Sequence, residues 1–463
     1  MNGLPGGLLA MAAIILVGWL MARWLAGETP LIVQIALGGL FGPGLISLGL
    51  FALFAAGAES RVAVAMLCFA LAAVLAWLAS RYRESSLAPP IRKGNLTWAF
   101  AIAAVLSLTA LVAGFYATSN ASPNGDWDAF SIWNVRAKYL AGGQDTWHRA
   151  IGSEFNQNLF GAAHPGYPLL LSGFIASQWI LGGGVNSLIP IAASLLFSLI
   201  PVCLLGGSLM RSRGLGLALL ASTILAGSEI FAAQTALQYS DLAVACCFLA
   251  GLAVWASAQE SGSPGLFAAC GFAAGLAPWT KNEGWPFAIA FVALVLWRSG
   301  LEKGKWTVAA SLPGIIATLG LKFLVKSNEG MFPSTLSAAV SKIADPARWS
   351  QTIVSFGQAV WRMGEPWAHP LLLVSAVGLV CGLAPKKARA KRAWLFVPLA
   401  AVFAADFAIF LMTTADLQWH LSTSVERLVA QLWPAALFAV FLMIEPLEDT
   451  PVVSPRKRAS PAR

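Results

Sequence analysis

The sequence predicts an all-α polytopic membrane protein, a bundle of about 13 transmembrane helices with a large first outer loop and a re-entrant or interfacial helix. Three observations predict it. Of 463 residues, 58% are hydrophobic and only 11% are charged, against about 25% charged in a soluble domain. Apolar runs near the ~20 residues that span a bilayer recur along the chain. The short connections between them carry the Lys and Arg clusters, which one choice of orientation places on the cytoplasmic side.

No polar linker separates the apolar runs, so 1–445 reads as a single transmembrane domain. The tail 446–463 is rich in Pro, Ser and Arg and is expected to be a disordered, basic, cytoplasmic segment. The formal charge of +9 sits in loops rather than on any soluble basic face, which argues against nucleic-acid binding. The six cysteines, Cys68, Cys203, Cys246, Cys247, Cys270 and Cys381, all lie in apolar runs without zinc-ligand spacing. They read as small buried apolar side chains. No basic segment precedes the first apolar run, which is therefore expected to be a retained span rather than a cleaved signal.

Taken in order, spans are expected near 8–25, 31–54, 62–79 and 96–116. Arg81, Arg83, Arg92 and Lys93 place the loop before the fourth span inside, so that span runs outward. The outer loop 117–168 follows, and then Leu169 to Leu181, too short for a full crossing. Reading it as a re-entrant helix keeps Arg211 and Arg213 cytoplasmic. Further spans are expected near 185–208, 214–236, 240–258, 264–280, 284–297, 306–325, 367–383, 394–412 and 428–445. Arg298, Lys303 and Lys305, the Lys386–Arg392 cluster and Arg456-Lys-Arg458 then all fall inside. A second outer segment, 326–366, is not apolar enough to span. Within it Trp349, Ile353, Phe356 and Val360 recur at helical spacing, as in a helix lying in the membrane interface or one packed on the outer loop.

The loop of roughly fifty residues is long against the usual ~4–6, and long ordered loops are usually functional. It opens on Asn124-Gly-Asp-Trp-Asp-Ala-Phe, carries Arg136 and Lys138, and ends on His164-Pro-Gly-Tyr-Pro168. Its carboxylates, Asp126 and Asp128, have two readings each. Either can act as a general base on a hydroxyl; Asp126 can instead serve a turn beside Gly125, and Asp128 can cap a helix. The Asp-x-Asp pair with His164 can also hold a divalent cation, although the spacing alone does not support one and no cofactor or metal is expected. His164, before a proline, is expected to orient the loop.

The outward ends collect the remaining unusual polar residues: Glu229, Tyr239 and Asp241; Lys281, Asn282 and Glu283; Glu365 and His369; and His420, Glu426 and Arg427. Ionisable groups at membrane depth face a cavity or one another, so five connections contributing to one end imply one outward polar cavity. Lys281 and Arg427 stand against the positive-inside trend. With His420 they can hold an anionic head group, Arg by bidentate contact and Lys as a point charge; alternatively they pair with Glu283 and Glu426. Asp241, after Ser240, is expected as a cap of its helix.

These residues resemble the GT-C glycosyltransferases, polytopic enzymes that use polyprenyl-phosphate sugars, among them protein O-mannosyltransferases and aminoarabinose transferases of lipid A. The resemblance rests on the acidic motif Gly125-Asp-Trp-Asp128 with Arg136 and Lys138 after it. Two further marks are His164-Pro-Gly-Tyr-Pro-Leu-Leu-Leu171 before a short helix, and Thr280-Lys281 at a later helix end. It covers roughly 96–297; the family often has adjacent Asp-Glu and His-Pro-Pro instead, which leaves open which Asp is catalytic. The resemblance implies a GT-C-like bundle in a bacterial inner membrane, with its site facing outward. It implies transfer of a sugar from a polyprenyl-phosphate donor to an envelope glycan, lipid or protein by single displacement. The base role carries to Asp128 first and Asp126 second. Donor contacts are expected from Lys281, Arg427, His420, Arg136 and Lys138, and positioning of acceptor or loop from His164, Tyr167, Asp241 and Glu283. Two other functions fit an outward polar face: a flippase of a lipid-linked glycan, and a polysaccharide polymerase or ligase using the late loop.

Overall fold

A computed structural model describes residues 3–58, 60–81, 96–152, 164–325 and 333–446. Arg83, Arg92, Lys93, the Arg456-Lys-Arg458 cluster and the tail from 447 lie outside the described residues, as does 153–163 of the outer loop. Apart from an isolated antiparallel bridge between Leu383 and Ile444, every regular element among the described residues is helical. Nine helices there are long and apolar enough to cross a membrane, as expected of a multi-pass membrane protein.

The first four are α1 (Leu4–Ala26), α2 (Leu31–Ala55), α3 (Arg61–Ser80) and α4 (Thr97–Ala121). The loop after α4 holds a π-helical turn, Ala129–Trp133, then α5 (Asn134–Ala141) and α6 (Gln144–Ile151). Next come the short helix α7 (Leu170–Gly182), the long α8 (Leu188–Ala226), α9 (Glu229–Gln234), α10 (Asp241–Ser261), α11 (Pro264–Thr280) and the long α12 (Gly284–Leu324). The segment after α12 forms α13 (Leu336–Ile343) and α14 (Pro346–Trp361). The chain closes with α15 (Pro370–Cys381), α16 (Lys386–Arg392), α17 (Phe396–Met412) and α18 (Leu417–Phe441).

Two of the long helices are hairpins. Gly214 (φ 83°) and Gly300 (φ 75°) adopt left-handed backbone inside α8 and α12, a conformation other residues adopt only at a cost. The arms fold back on each other: Ser222 Oγ donates to Val202 O at 3.4 Å across the first turn. A Cβ added at Gly304 would lie 3.2 Å from Leu296 Cα across the second. Each reversal falls where the sequence places a basic connection, Arg211–Arg213 and Arg298–Lys305.

The helix expected at 428–445 begins earlier, at Leu417. Its first turns carry Gln418, His420, Ser422, Thr423, Glu426 and Arg427, and that polarity hid them from an apolar-run criterion. Asp416 caps the start, accepting from Trp419 N at 2.8 Å. The helix α15 is only 12 residues long, shorter than the span expected at 367–383.

The core runs through α8, α10 and α11. Leu242 to Phe248 are all essentially inaccessible, and Phe248, Phe287 and Phe291 stack in series between α10 and α12. By contrast, α3 and α4 leave Phe69, Trp98, Val105 and Leu106 open. That is the arrangement expected where the surrounding medium is lipid rather than water. The helix α14 packs on α17 and α18 through Phe356 and Ala359, which join Phe410, Leu421 and Val425. Trp349 and Ile353 stay exposed beside it. Arg348 fastens it, donating to Phe410 O and Leu411 O at 2.8 Å and Thr413 O at 3.1 Å. A cation there satisfies the last carbonyls of α17 and complements its dipole.

The bundle has two chemically distinct ends. Arg211 donates to Glu28 O, and the buried Arg213 donates to Phe441 O and Leu442 O. Arg392 donates to Leu442 O at 2.6 Å. The acidic loop, the start of α10 and the end of α11 meet at the other end.

Candidate functional site

The site is built where the 122–128 loop meets the connection from α9 to α10. Gly125 (φ 77°) sits so close that a Cβ would lie 2.6 Å from Leu237 O. Asp126 N donates to that same carbonyl at 3.2 Å. Asn134 Nδ2 donates to Gln238 Oε1 at 2.8 Å, and Gln238 Nε2 to Pro123 O at 3.1 Å. These bonds hold Asp128 over Tyr239, whose hydroxyl accepts from Asp128 N at 3.3 Å.

A continuous ion network follows. Arg427 donates to Asp128 Oδ2 at 2.7 Å and to Asp241 Oδ2 at 3.0 Å, with its guanidinium 4.4 Å from the centre of the Tyr239 ring. Lys281 Nζ donates to Asp241 Oδ1 at 3.0 Å and Glu283 Oε1 at 2.7 Å. Gln431 Nε2 completes the Asp241 shell at 2.6 Å. Asp241 is the hub, its side chain 1% exposed, whereas Asp128 is 20% exposed at the rim.

Local sequence explains this placement. Asp241 opens α10, but its carboxylate makes no cap; the expectation of a helix cap is corrected by three side-chain partners. Lys281 ends α11 in extended backbone (φ −157°), and Gly284 N donates to Lys281 O at 2.9 Å to turn the charged tetrapeptide. Burial alone would lower the Lys281 pKa, but Asp241 and Glu283 more than offset it and hold the ammonium above its ordinary value. Burial likewise pushes the Tyr239 phenol up.

The network joins Asp128, Asp241, Lys281, Glu283 and Arg427, five of the residues singled out from sequence. Others are elsewhere. Asp126 is exposed and its Oδ1 accepts from its neighbour Trp127 N at 2.8 Å. Arg136 is fully buried and donates to His164 O and Tyr167 O, so it ties the loop rather than presenting a free cation to a donor. His164 (φ 43°) stacks on Tyr167 at 4.7 Å, which stacks on Trp133 at 5.7 Å. Lys138 is exposed on α5. His420 lies two turns before Arg427, about 10 Å along the helix at ~1.5 Å per residue. There it contacts Thr413 Oγ1 at 3.2 Å and the Phe410 ring. Glu426 pairs with Arg362 at 3.0 Å, not with Arg427.

Asp128 makes no cap either; it precedes the π-helical turn, an irregularity frequent at functional sites. No group of three or more His, Cys, Asp or Glu able to hold a metal occurs among the described residues. Sequence reading missed Gln431 and the Asn134–Gln238 clasp, since uncharged amides inside apolar or aromatic stretches carry no distinctive spacing. No family model matches the chain, and no curated protein or solved structure matches it.

Proposed function

We propose that this protein is a membrane glycosyltransferase that moves a sugar from a polyprenyl-phosphate donor to an envelope acceptor on the outer face. The observation carrying this reading is the network itself: a rim carboxylate, Asp128, joined through Arg427 to Asp241 and Lys281. It gathers a general base and two phosphate-binding cations at one end of the bundle. Its position at a helix end, rather than at mid-depth, favours group transfer over translocation.

Three carboxylates face two cations, so each cation is already paired. An arriving lipid phosphate competes for Arg427 at the rim, where Asp128 is the more exposed of its two partners. Arg427 Nε is buried without a partner, a donor an anion oxygen can satisfy. Capture of Arg427 by the phosphate frees the Asp128 carboxylate from its ion pair. Asp128 then takes the acceptor hydroxyl's proton as that oxygen attacks the anomeric carbon. The C–O bond to phosphate breaks, and Arg427 and Lys281 stabilise the departing anion. Asp241 stays buried and fixes both cations. The α7 helix serves as the re-entrant element of a bundle of about 13 crossings, each hairpin arm counting separately.

The orientation follows from the basic end being cytoplasmic. In a Cys-free variant of sealed cells, Ser337→Cys should react with an impermeant thiol reagent and Lys387→Cys should not. Labelling at Lys387→Cys overturns the outward site. For the activity, mass analysis of envelope glycans should show one sugar missing from one component when Arg427→Gln replaces the native gene. An unchanged profile contradicts the transferase reading.

A further inference from the structure

We propose that the cavity between α9 and the turn after α14 is a saccharide site, which holds a hydroxyl-rich sugar acceptor for the transfer proposed above. The inference rests on that reading for the acceptor's role, but not for the binding. The cavity measures about 390 Å³ and is lined by Glu229, Gln234, Trp361, Arg362, Glu365 and Glu426 among others. That falls within the roughly 300–1,000 Å³ of small-molecule sites. Its two walls are joined by Glu229 N, which donates to Met363 O at 2.9 Å.

The polar inventory selects the ligand. Gln234 is 7% exposed and its Oε1 is buried without a partner. An unsatisfied buried acceptor costs about 1–3 kcal/mol, which a ligand O–H or N–H relieves. The Glu229 and Glu365 side chains are exposed on the same cavity, and no side-chain partner is recorded for either among the described residues. Ionised carboxylates only accept. Glu426 is engaged by Arg362 at 3.0 Å. Three carboxylates face one guanidinium on this lining, which favours a ligand with many donors and disfavours anions. Trp361, 70% exposed, offers an apolar ring face. A sugar matches both, with a rim of hydroxyls and an apolar C–H face. Gln234 ends α9, five residues before Tyr239, and Glu426 immediately precedes Arg427 on α18, so the cavity and the Asp128 network are built from the same two stretches of chain.

Saturation-transfer NMR on the purified full-length protein in detergent tests this with three soluble probes: a neutral hexose disaccharide, an N-acetylhexosamine disaccharide and a uronic-acid disaccharide. At least one uncharged probe should bind, and the uronic acid should not. Gln234→Leu, and separately the Glu229→Gln/Glu365→Gln pair, should each weaken binding about tenfold, the loss of one or two hydrogen bonds. Both should raise acceptor KM and leave donor KM unchanged. Asp128→Asn should bind saccharide as the wild type does while its transfer falls by about 10²–10⁴-fold. Saccharide binding that Gln234→Leu weakens, in a protein that transfers no sugar, upholds the cavity and refutes only the transferase reading. Failure of every probe to bind the wild type, preference for the uronic acid, or undiminished binding in both variants overturns the site.

Discussion

Asp128→Asn should reduce sugar transfer by about 10²–10⁴-fold, the usual contribution of a general base, while the protein remains folded. The fold should survive because Asp128 sits at the rim and shares Arg427 with Asp241. An asparagine oxygen can still accept from the guanidinium. The loss should appear in kcat, since the proton is taken only as the acceptor attacks. Transfer rates and gel-filtration profiles of the two purified proteins check this. Full activity in Asp128→Asn with an inactive Asp126→Asn would move the base to Asp126, and full activity in both would remove this loop from the chemistry.

Asp241→Ala should have the largest effect on stability. It removes the buried carboxylate that Lys281 and Arg427 share and leaves each with one rim partner, Glu283 and Asp128; breaking a buried pair by deleting one partner costs about 3–5 kcal/mol. The exposed Arg362–Glu426 pair contributes about 0–1 kcal/mol by comparison. Thermal unfolding in detergent should therefore show a much lower midpoint for Asp241→Ala than for Glu426→Ala. Adding Lys281→Met to Asp241→Ala should recover part of the loss by removing a buried ammonium left with only the rim carboxylate of Glu283. Equal midpoints for the two single variants would show that Asp241 is not the hub.

The helical class and most helix positions were legible because apolar runs and basic turns are dictated by the solvent each faces. Gly214 and Gly300 mark both hairpin turns amid the basic residues that announce them. Legibility failed where polarity and burial coincide. The N-terminal half of α18 reads as loop because His420, Glu426 and Arg427 interrupt the apolar pattern, yet its residues form continuous helix. Asp241 reads as a cap because a serine precedes it and an apolar run follows, and its three partners come from positions 40, 186 and 190 residues away. Pairings of that separation leave no local spacing. The Lys281–Glu283 pair was legible only as the alternative to head-group capture, and its companion, Arg427 with Glu426, does not form because Glu426 pairs with Arg362. Arg136 was misleading for the opposite reason: a cation near an acidic motif invites an ionic reading, but backbone carbonyls of His164 and Tyr167 take it up.

The form of the donor is the most direct test of the account. Purified protein in detergent is given an acceptor extract and one radiolabelled sugar, offered either as a nucleotide sugar or on polyprenyl monophosphate. Label should enter the acceptor only from the polyprenyl-phosphate form, with transfer reduced about 10²–10⁴-fold in Asp128→Asn and weakened in Lys281→Ala. Transfer from the nucleotide sugar with no lipid carrier present would contradict it.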